Sequence, residues 1–242
     1  MISKDESNAS RFITAYNTID NALRSIYNFK RSMSYADMIR RAASLNYVVR
    51  KYEDKLVDYG RLRNAIVHSS LDEEIIAEPH KNVLEEFEKI ATLLSTPPKA
   101  LPAIASRDVK TMESTAILSD VFKMFYEKGY KNIPIYNEET LIGVANAGKL
   151  AEIIGKAIRA GENLQEFVTE TRIGDVLIDA DDDNYYVIVS SKVTIEQVME
   201  LFNSNRKLLV VLITPTGVLT ERAIGIITVG DVVDMNKILD LY

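Results

Sequence analysis

The sequence predicts an α+β multidomain protein: an all-α helical bundle followed by two βαββα units. Apolar residues recur at three- and four-residue spacings through residues 1–95, which is typical of packed helices. Beyond residue 103 helical and strand-like segments alternate, and the pattern occurs twice. Three of the six prolines fall in TPPKALPA, Thr96–Ala103. Because proline disfavours helix and sheet interiors, we expect a linker over residues 96–103.

The helical pattern occupies four segments of the first part, and no strand-like alternation interrupts it. The segments are FITAYNTIDNALRSIYNF, YADMIRRAASL, YVVRKYEDKLVDYGRLRNAIV and VLEEFEKIATLL. Each of them places an apolar stripe on one side of a helix. Residues 1–95 are therefore predicted to form a small bundle.

The second part contains an internal repeat. SDVFKMFYEKGYKNIPIYN lines up with EQVMELFNSNRKLLVVLIT at an offset of 77 residues, which places Ile133 on Val210. LIGVANAGKLAEII then lines up with AIGIITVGDVVDMN at an offset of 82 residues, which places Gly143 on Gly225. The five-residue difference falls in the turn TPTGVLTER, where an insertion costs little. We predict two units, over residues 104–160 and 161–242.

The element order and the segment GIITVGD resemble the cystathionine-β-synthase (CBS) domain, which occurs in tandem pairs. The second repeat carries that family's Gly-hydrophobic-hydrophobic-Thr-x-x-Asp signature, from Gly225 through Thr228 to Asp231. The resemblance implies two short sheets packed on each other with clefts between them. It also implies a regulatory adenine nucleotide, AMP, ADP or ATP, as the ligand.

The chemistry of the signature admits two interpretations. Backbone N–H groups at a helix start attract phosphate, and the Thr228 hydroxyl adds a donor. Asp231, one turn later, can accept two hydrogen bonds from a ribose diol. The same spacing also fits a capping box, which only stabilises a helix end. The repeat and the family resemblance favour a nucleotide site formed by Gly225, Thr228 and Asp231.

The first repeat departs from the signature. Asn146 and Lys149 stand where the second repeat has Thr228 and Asp231. Asn146 can still cap a helix, but an ammonium group cannot accept a hydrogen bond from ribose. Lys149 suits either a phosphate or solvent. We therefore expect at most one competent nucleotide site in each chain.

A second motif lies late in the helical part, in GRLRNAIVHSS. Arg63, Asn64 and His68 are close together there, and Asn64 and His68 lie one helical turn apart. The pattern Arg-Asn-x3-His in an all-helical setting resembles the HEPN (higher eukaryotes and prokaryotes nucleotide-binding) domain, over roughly residues 8–95. The resemblance implies a metal-independent ribonuclease whose site forms where two protomers meet. The alternative is a noncatalytic dimerisation or binding module.

The three residues suit cleavage of RNA by its own 2′-OH group, which leaves 2′,3′-cyclic phosphate ends. His68 can transfer protons near neutral pH. Arg63 can bind the phosphate and stabilise the charge that develops on it. Asn64 can orient the histidine or bind a phosphate oxygen. Arg63 also falls within the apolar arc of its helix, so we expect it to face a partner in a homodimer.

Composition limits the remaining classes of function. The chain has no cysteine and two histidines, so neither a disulfide framework nor a metal site is expected. The longest apolar run, Leu208–Ile213, is too short to cross a bilayer, and a cytoplasmic protein without membrane contact is expected.

The net charge is −6, yet residues 24–63 hold ten basic and four acidic side chains. That stretch suits a polyanion, although a solvated helix face accounts for it equally well.

Together these features predict an adenine-nucleotide-regulated, metal-independent HEPN endoribonuclease that needs no cofactor for catalysis. The main alternative is a noncatalytic regulatory protein, in which the CBS pair binds the nucleotide and the bundle dimerises or binds a partner. A third possibility is a bundle that binds RNA without cutting it.

Overall fold

The computed structural model describes residues 7–68, 78–106, 108–178 and 184–240. The chain divides into two compact units. The helical unit consists of Met1–Pro98, Thr194–Glu200 and Val233–Tyr242, and the sheet unit of Lys99–Val193 and Leu201–Val232. The prediction of a mixed α+β fold is confirmed. The division at Pro98 and Lys99 falls inside the segment predicted as a linker.

The N-terminal region is helical, as predicted. Its helices are α1 (Asn8–Tyr27), α2 (Tyr35–Ala43), α3 (Tyr47–Lys51), α4 (Glu53–His68) and α5 (Lys81–Ser95). Side-chain oxygens of Ser7, Ser34 and Asn46 cap the first three helices, each by accepting from the N–H three residues later. The apolar faces of α1, α4 and α5 meet around aromatic rings. The centroid of the Phe87 ring lies 4.6 Å from that of Phe12 and 4.8 Å from that of Tyr59.

The sheet unit begins with a short helix in the predicted linker, α6 (Ala100–Ala103), so that segment is only partly extended. The first repeat then forms β1 (Met112–Glu113), α7 (Leu118–Lys128), β2 (Asn132–Asn137), β3 (Thr140–Asn146) and α8 (Ala147–Ala160). Two helices follow, α9 (Leu164–Glu170) and α10 (Ile173–Ile178). The second repeat forms β4 (Tyr186–Ser190), α11 (Ile195–Ser204), β5 (Val210–Thr214), β6 (Gly225–Thr228), a 3-10 turn (Val229–Asp231) and α12 (Val232–Leu239).

The two repeats build equivalent three-stranded sheets, with strand orders β1-β2-β3 and β4-β5-β6. In each sheet the first pair of strands is parallel and the second pair is antiparallel. A buried cluster joins the sheets, with Tyr136, Leu141 and Val144 from the first and Val210 and Leu212 from the second. The sheets are thus packed through a shared apolar core, as the predicted pair of units requires.

The register of the strands corrects the sequence alignment by one residue. Ile133 pairs with Ala145 in the first sheet, and Val211 pairs with Ile227 in the second. Ala145 and Ile227 are equivalent at the offset of 82 residues, so their partners Ile133 and Val211 are equivalent too. The alignment of Ile133 with Val210 was wrong. Val210 and Val211 are both fully buried valines, so hydrophobicity alone could not distinguish the two alignments.

The helix that precedes each repeat packs on the sheet of the other repeat. Leu177 of α10 lies against Gly143 in β3, where an added Cβ would stand 3.3 Å from the Leu177 side chain. Leu101 of α6 lies against Gly225 in β6, where an added Cβ would stand 2.7 Å from the Leu101 side chain. Both strands carry glycine because a crossing side chain occupies the space of a Cβ atom.

Two helical glycines give a matched pair of stability predictions. An alanine at Gly60 in α4 would place its Cβ 2.8 Å from the buried ring of Tyr35, whereas Gly155 in α8 has open space around it. Alanine gains about 0.8–1 kcal/mol over glycine within a helix. We expect Gly155→Ala to stabilise the protein by about that amount, and Gly60→Ala to destabilise it by roughly 1–2 kcal/mol through overpacking. Urea unfolding followed by circular dichroism measures both, and a more stable Gly60→Ala variant would contradict the contact.

Candidate nucleotide site and candidate catalytic motif

The signature of the second repeat lies where β6 ends and the chain turns into α12. Thr228 donates its N–H to Oδ2 of Asp231 over 2.7 Å and its hydroxyl to the same oxygen over 3.0 Å. The two residues form a capping box, so the stabilising interpretation of this motif is observed. Both side chains are half-buried. The cap occupies one carboxylate oxygen, and a carboxylate has acceptor capacity at both.

Gly225 lies at the start of the same strand and is buried. The space beside its Cα is filled by the side chain of Leu101 and, at 3.3 Å from an added Cβ, by Ala105. Gly225 thus has a packing role that the sequence-based interpretation, as a nucleotide-binding residue, did not include.

The equivalent position of the first repeat is arranged differently. Oδ1 of Asn146 accepts from the N–H groups of Gly148 and Lys149, and the Asn146 amide donates to Asn132 over 2.7 Å. The Lys149 ammonium lies 3.6 Å from Glu152 and 5.9 Å from the centroid of the Tyr185 ring. The first N–H groups of α8 are therefore capped, and the lysine is engaged within the chain.

The Arg-Asn-x3-His motif lies in the last two turns of α4. The Arg63 guanidinium stands 5.1 Å from the centroid of the Tyr16 ring, and one of its amino groups donates to Oδ1 of Asn64 over 3.4 Å. Nε of Arg63 is buried, and no described residue accepts its hydrogen. Asn64 is exposed. α4 ends at His68, whose side chain lies outside the described part of the structure.

Tyr16 explains why an arginine fits the apolar arc of α4. The ring of Tyr16 stacks on that of Tyr35 at a centroid distance of 4.3 Å and also lies beside the guanidinium. A cation over an aromatic ring is stabilised without a partner protein. Burial and the charge of Asp20 raise the pKa of Tyr16, so its hydroxyl stays neutral around pH 7. The position of Arg63 therefore does not itself require a dimer.

The basic stretch over residues 24–63 is largely paired within the chain. Six of its ten basic side chains form ion pairs: Arg24 with Asp20, Arg40 with Asp37, Arg50 with Glu200, Lys51 with Asp240, Lys55 with Glu86 and Arg61 with Asp58. Three of these pairs join the stretch to α5, α11 and the end of α12. Charge complementarity within the chain thus accounts for much of the positive excess that suited a polyanion.

Neither a metal-binding cluster nor a membrane-spanning helix is found among the described residues. They contain no cluster of three or more histidine, aspartate or glutamate side chains arranged to hold a metal ion. No helix in the described ranges is long and apolar enough to cross a membrane.

Comparison with known families supports the interpretation of the first repeat. Residues 103–156 match the family model of the CBS domain. That CBS segment runs from the end of α6 through most of α8 and contains Asn146 and Lys149. The helical region over residues 8–95 is consistent with the predicted bundle, but an HEPN domain is not shown there. No curated protein matches the chain significantly.

Solved CBS structures resemble part of the chain. The CBS domain of a bacterial CNNM/CorC family Mg²⁺ transporter in complex with ATP is 19% identical, covers 65% of this chain and 96% of its own, and has a TM-score of 0.44. CBSX2 in complex with AMP is 18% identical, covers 59% and 98%, and has a TM-score of 0.43. The CBS pair of MJ0100, bound to 5′-methylthioadenosine and S-adenosyl-L-methionine, is 15% identical, covers 60% and 99%, and has a TM-score of 0.41.

Proposed function

We propose that this protein is a regulatory protein whose CBS pair binds one adenine nucleotide, AMP, ADP or ATP, at the second repeat. The observation that carries the proposal is the half-buried Asp231 carboxylate at the end of β6. Oδ2 accepts from the N–H and the hydroxyl of Thr228, and Oδ1 keeps its acceptor capacity for the two hydroxyls of a ribose. Thr228 and the turn that follows place backbone N–H groups where phosphate binds favourably.

The first repeat supports the stoichiometry of this proposal. Its helix start is capped by Asn146, and Lys149 is held between Glu152 and Tyr185. The two sites of the pair are therefore chemically unequal, because the last signature position is Lys149 in the first repeat and Asp231 in the second.

Calorimetric titration of the full chain tests the proposal. AMP, ADP and ATP are the ligands, with 2′-deoxy analogues as the probe of the ribose contact. We expect about one nucleotide per chain and poor binding of the deoxy analogues. Two equal sites would contradict the asymmetry between the repeats, and the absence of binding by all three nucleotides would exclude the sensor.

A second proposed activity is the HEPN-type cleavage of RNA, regulated by the nucleotide. The observation that favours it is the adjacency of Arg63 and Asn64 on α4, with a buried guanidinium nitrogen that no described residue satisfies. His68 follows one turn after Asn64 and supplies the proton transfer. The activity needs no metal, because the attacking group is the 2′-OH of the RNA itself. It also joins two protomers, each contributing Arg63 and His68.

Replacing His68 gives a direct test of this activity. Wild-type protein incubated with total RNA in the presence of a chelator is expected to leave 2′,3′-cyclic phosphate ends, and His68→Ala is expected to abolish cleavage with the fold intact. The matched control is His80→Ala, which removes the other histidine, an exposed residue before α5. Equal cleavage by both variants would point to a contaminant, and light scattering that shows a strict monomer would exclude the composite site.

A further inference from the structure

The five-residue helix α3 and its two flanking residues bind the helices α11 and α12 through polar contacts. All partners lie within the helical unit. The contacts are Asn46 Nδ2 to Glu196 Oε1 (2.7 Å), Arg50 with Glu200, Tyr47 Oη to Asn236 Oδ1 (2.6 Å), Lys51 with Asp240 (2.5 Å) and Tyr52 Oη to the carbonyl of Leu239 (3.0 Å). We call residues 46–52 the latch. The latch carries the basic side chains of this contact, and the helices it binds carry the acidic ones.

Asn46 is the centre of the latch. It is 2% exposed, and its Oδ1 caps α3 by accepting from Val49 N–H over 2.8 Å. Its amide group donates to Tyr27 of α1 over 3.1 Å and to Glu196 of α11 over 2.7 Å. One buried amide thus joins three helices, so the state of Glu196 acts on the whole contact.

The surroundings of Glu196 disfavour its charged form. The groups that face it are the neutral Asn46 amide, the neutral Tyr27 hydroxyl, and Glu200 one turn further along α11. The guanidinium of Arg50 is bound to Glu200. Burial, with the negative charge of Glu200, raises the pKa of the Glu196 carboxyl to about 7 from its ordinary value of 4.5. Burial also raises the pKa of Tyr27, which keeps that hydroxyl neutral.

We propose that residues 46–52 form a proton-controlled latch, in which protonation of Glu196 tightens the attachment of α3 to α11 and deprotonation loosens it. The folded state binds the proton more strongly than an open state in which Glu196 is solvated. The latch is therefore tightest below about pH 4.5 and weakens as pH rises from 4.5 to about 7. This inference does not depend on nucleotide or RNA binding.

The absence of cysteine from the sequence allows a direct test. Val48 of α3 is fully buried, so the thiol of a Val48→Cys variant reacts only when the latch opens. Its labelling rate in the full chain, divided by that of a free cysteine peptide at the same pH, gives the opening constant. For carboxyl pKa values of about 7 closed and 4.5 open, this constant is expected to rise about tenfold from pH 6 to pH 8.

Two further variants separate the titration of Glu196 from pH effects that arise elsewhere in the chain. In a Val48→Cys, Glu196→Gln background the new side chain at position 196 keeps a carbonyl acceptor for Asn46 but cannot titrate. The opening constant is then expected to change less than twofold from pH 6 to pH 8. An Ala91→Cys probe in α5, in a groove shared with Ala15 and Thr18 of α1, reports opening of the whole unit and is expected to lack the tenfold change. The proposal is overturned if the Val48 probe shows no pH dependence, if Glu196→Gln retains it, or if the Ala91 probe shares it.

Discussion

An alanine in place of Asp231 is expected to weaken adenine-nucleotide binding roughly ten- to a hundredfold. Loss of a hydrogen bond to a charged group costs about 1.5–3 kcal/mol, and each factor of ten corresponds to about 1.4 kcal/mol. The Asp231 carboxylate is the ribose acceptor in the proposed site. Lys149 lies in the first repeat, so Lys149→Ala is expected to leave nucleotide binding unchanged. Calorimetry on both variants measures the difference.

The capping box complicates the Asp231 variant, because alanine also removes the bonds from Thr228. Asn146→Ala provides a matched control, since it removes the side-chain cap of α8 in the first repeat. Losing such a cap costs about 0.5–2 kcal/mol of stability. Both variants are expected to lose stability, and only Asp231→Ala to lose nucleotide binding. Wild-type affinity in Asp231→Ala would mean that the motif is a cap alone.

The largest loss of stability is expected for Phe87→Ala in the helical unit. Phe87 is fully buried and contacts the rings of both Phe12 and Tyr59. Truncating a buried phenylalanine removes its transfer free energy and leaves a cavity, at a cost of about 3–5 kcal/mol. Urea unfolding monitored by the helical circular dichroism signal gives this loss directly.

Tyr126 offers the control for that measurement. It is 91% exposed on α7, so Tyr126→Ala removes an aromatic ring of similar size from solvent rather than from a core. Its effect is expected to stay within about 0.5 kcal/mol. Comparable losses in the two variants would contradict the packing of α1 against α5.

The periodicity of the sequence was sufficient for the duplication and for most helices, but it did not reveal the break at Tyr52 between α3 and α4. Helices α1, α2 and α5 follow the predicted apolar stripes, because their cores are local repeats of three and four residues. The strand register was missed by one residue, since Val210 and Val211 are both apolar and both buried. Pairing between strands depends on distant partners, which no local pattern specifies.

The candidate sites were limited in the same way: contacts within one helical turn were predictable, and contacts between residues distant in sequence were not. The Thr228-x-x-Asp231 spacing admitted a cap as the alternative to a nucleotide site, and the cap is observed because both partners lie within one turn. The contact between Arg63 and Tyr16 was not predicted, since these residues are distant in sequence and meet only when α1 packs on α4. The arginine was therefore assigned to a partner surface. The basic excess was likewise interpreted as either a polyanion site or a solvated helix face, because its acidic partners in α11 and after α12 lie far along the chain.

The crossed placement of α6 and α10 has a consequence for the independence of the two repeats. The helix that covers the sheet of one repeat lies, in sequence, directly before the other repeat. A single repeat cut from the chain would expose the glycine-lined strand that the other repeat's helix covers. Two such fragments could restore the cover by exchanging helices, as intertwined dimers do. The duplicated pair is in this sense an internal domain swap. We therefore expect the two repeats to require expression together in one chain.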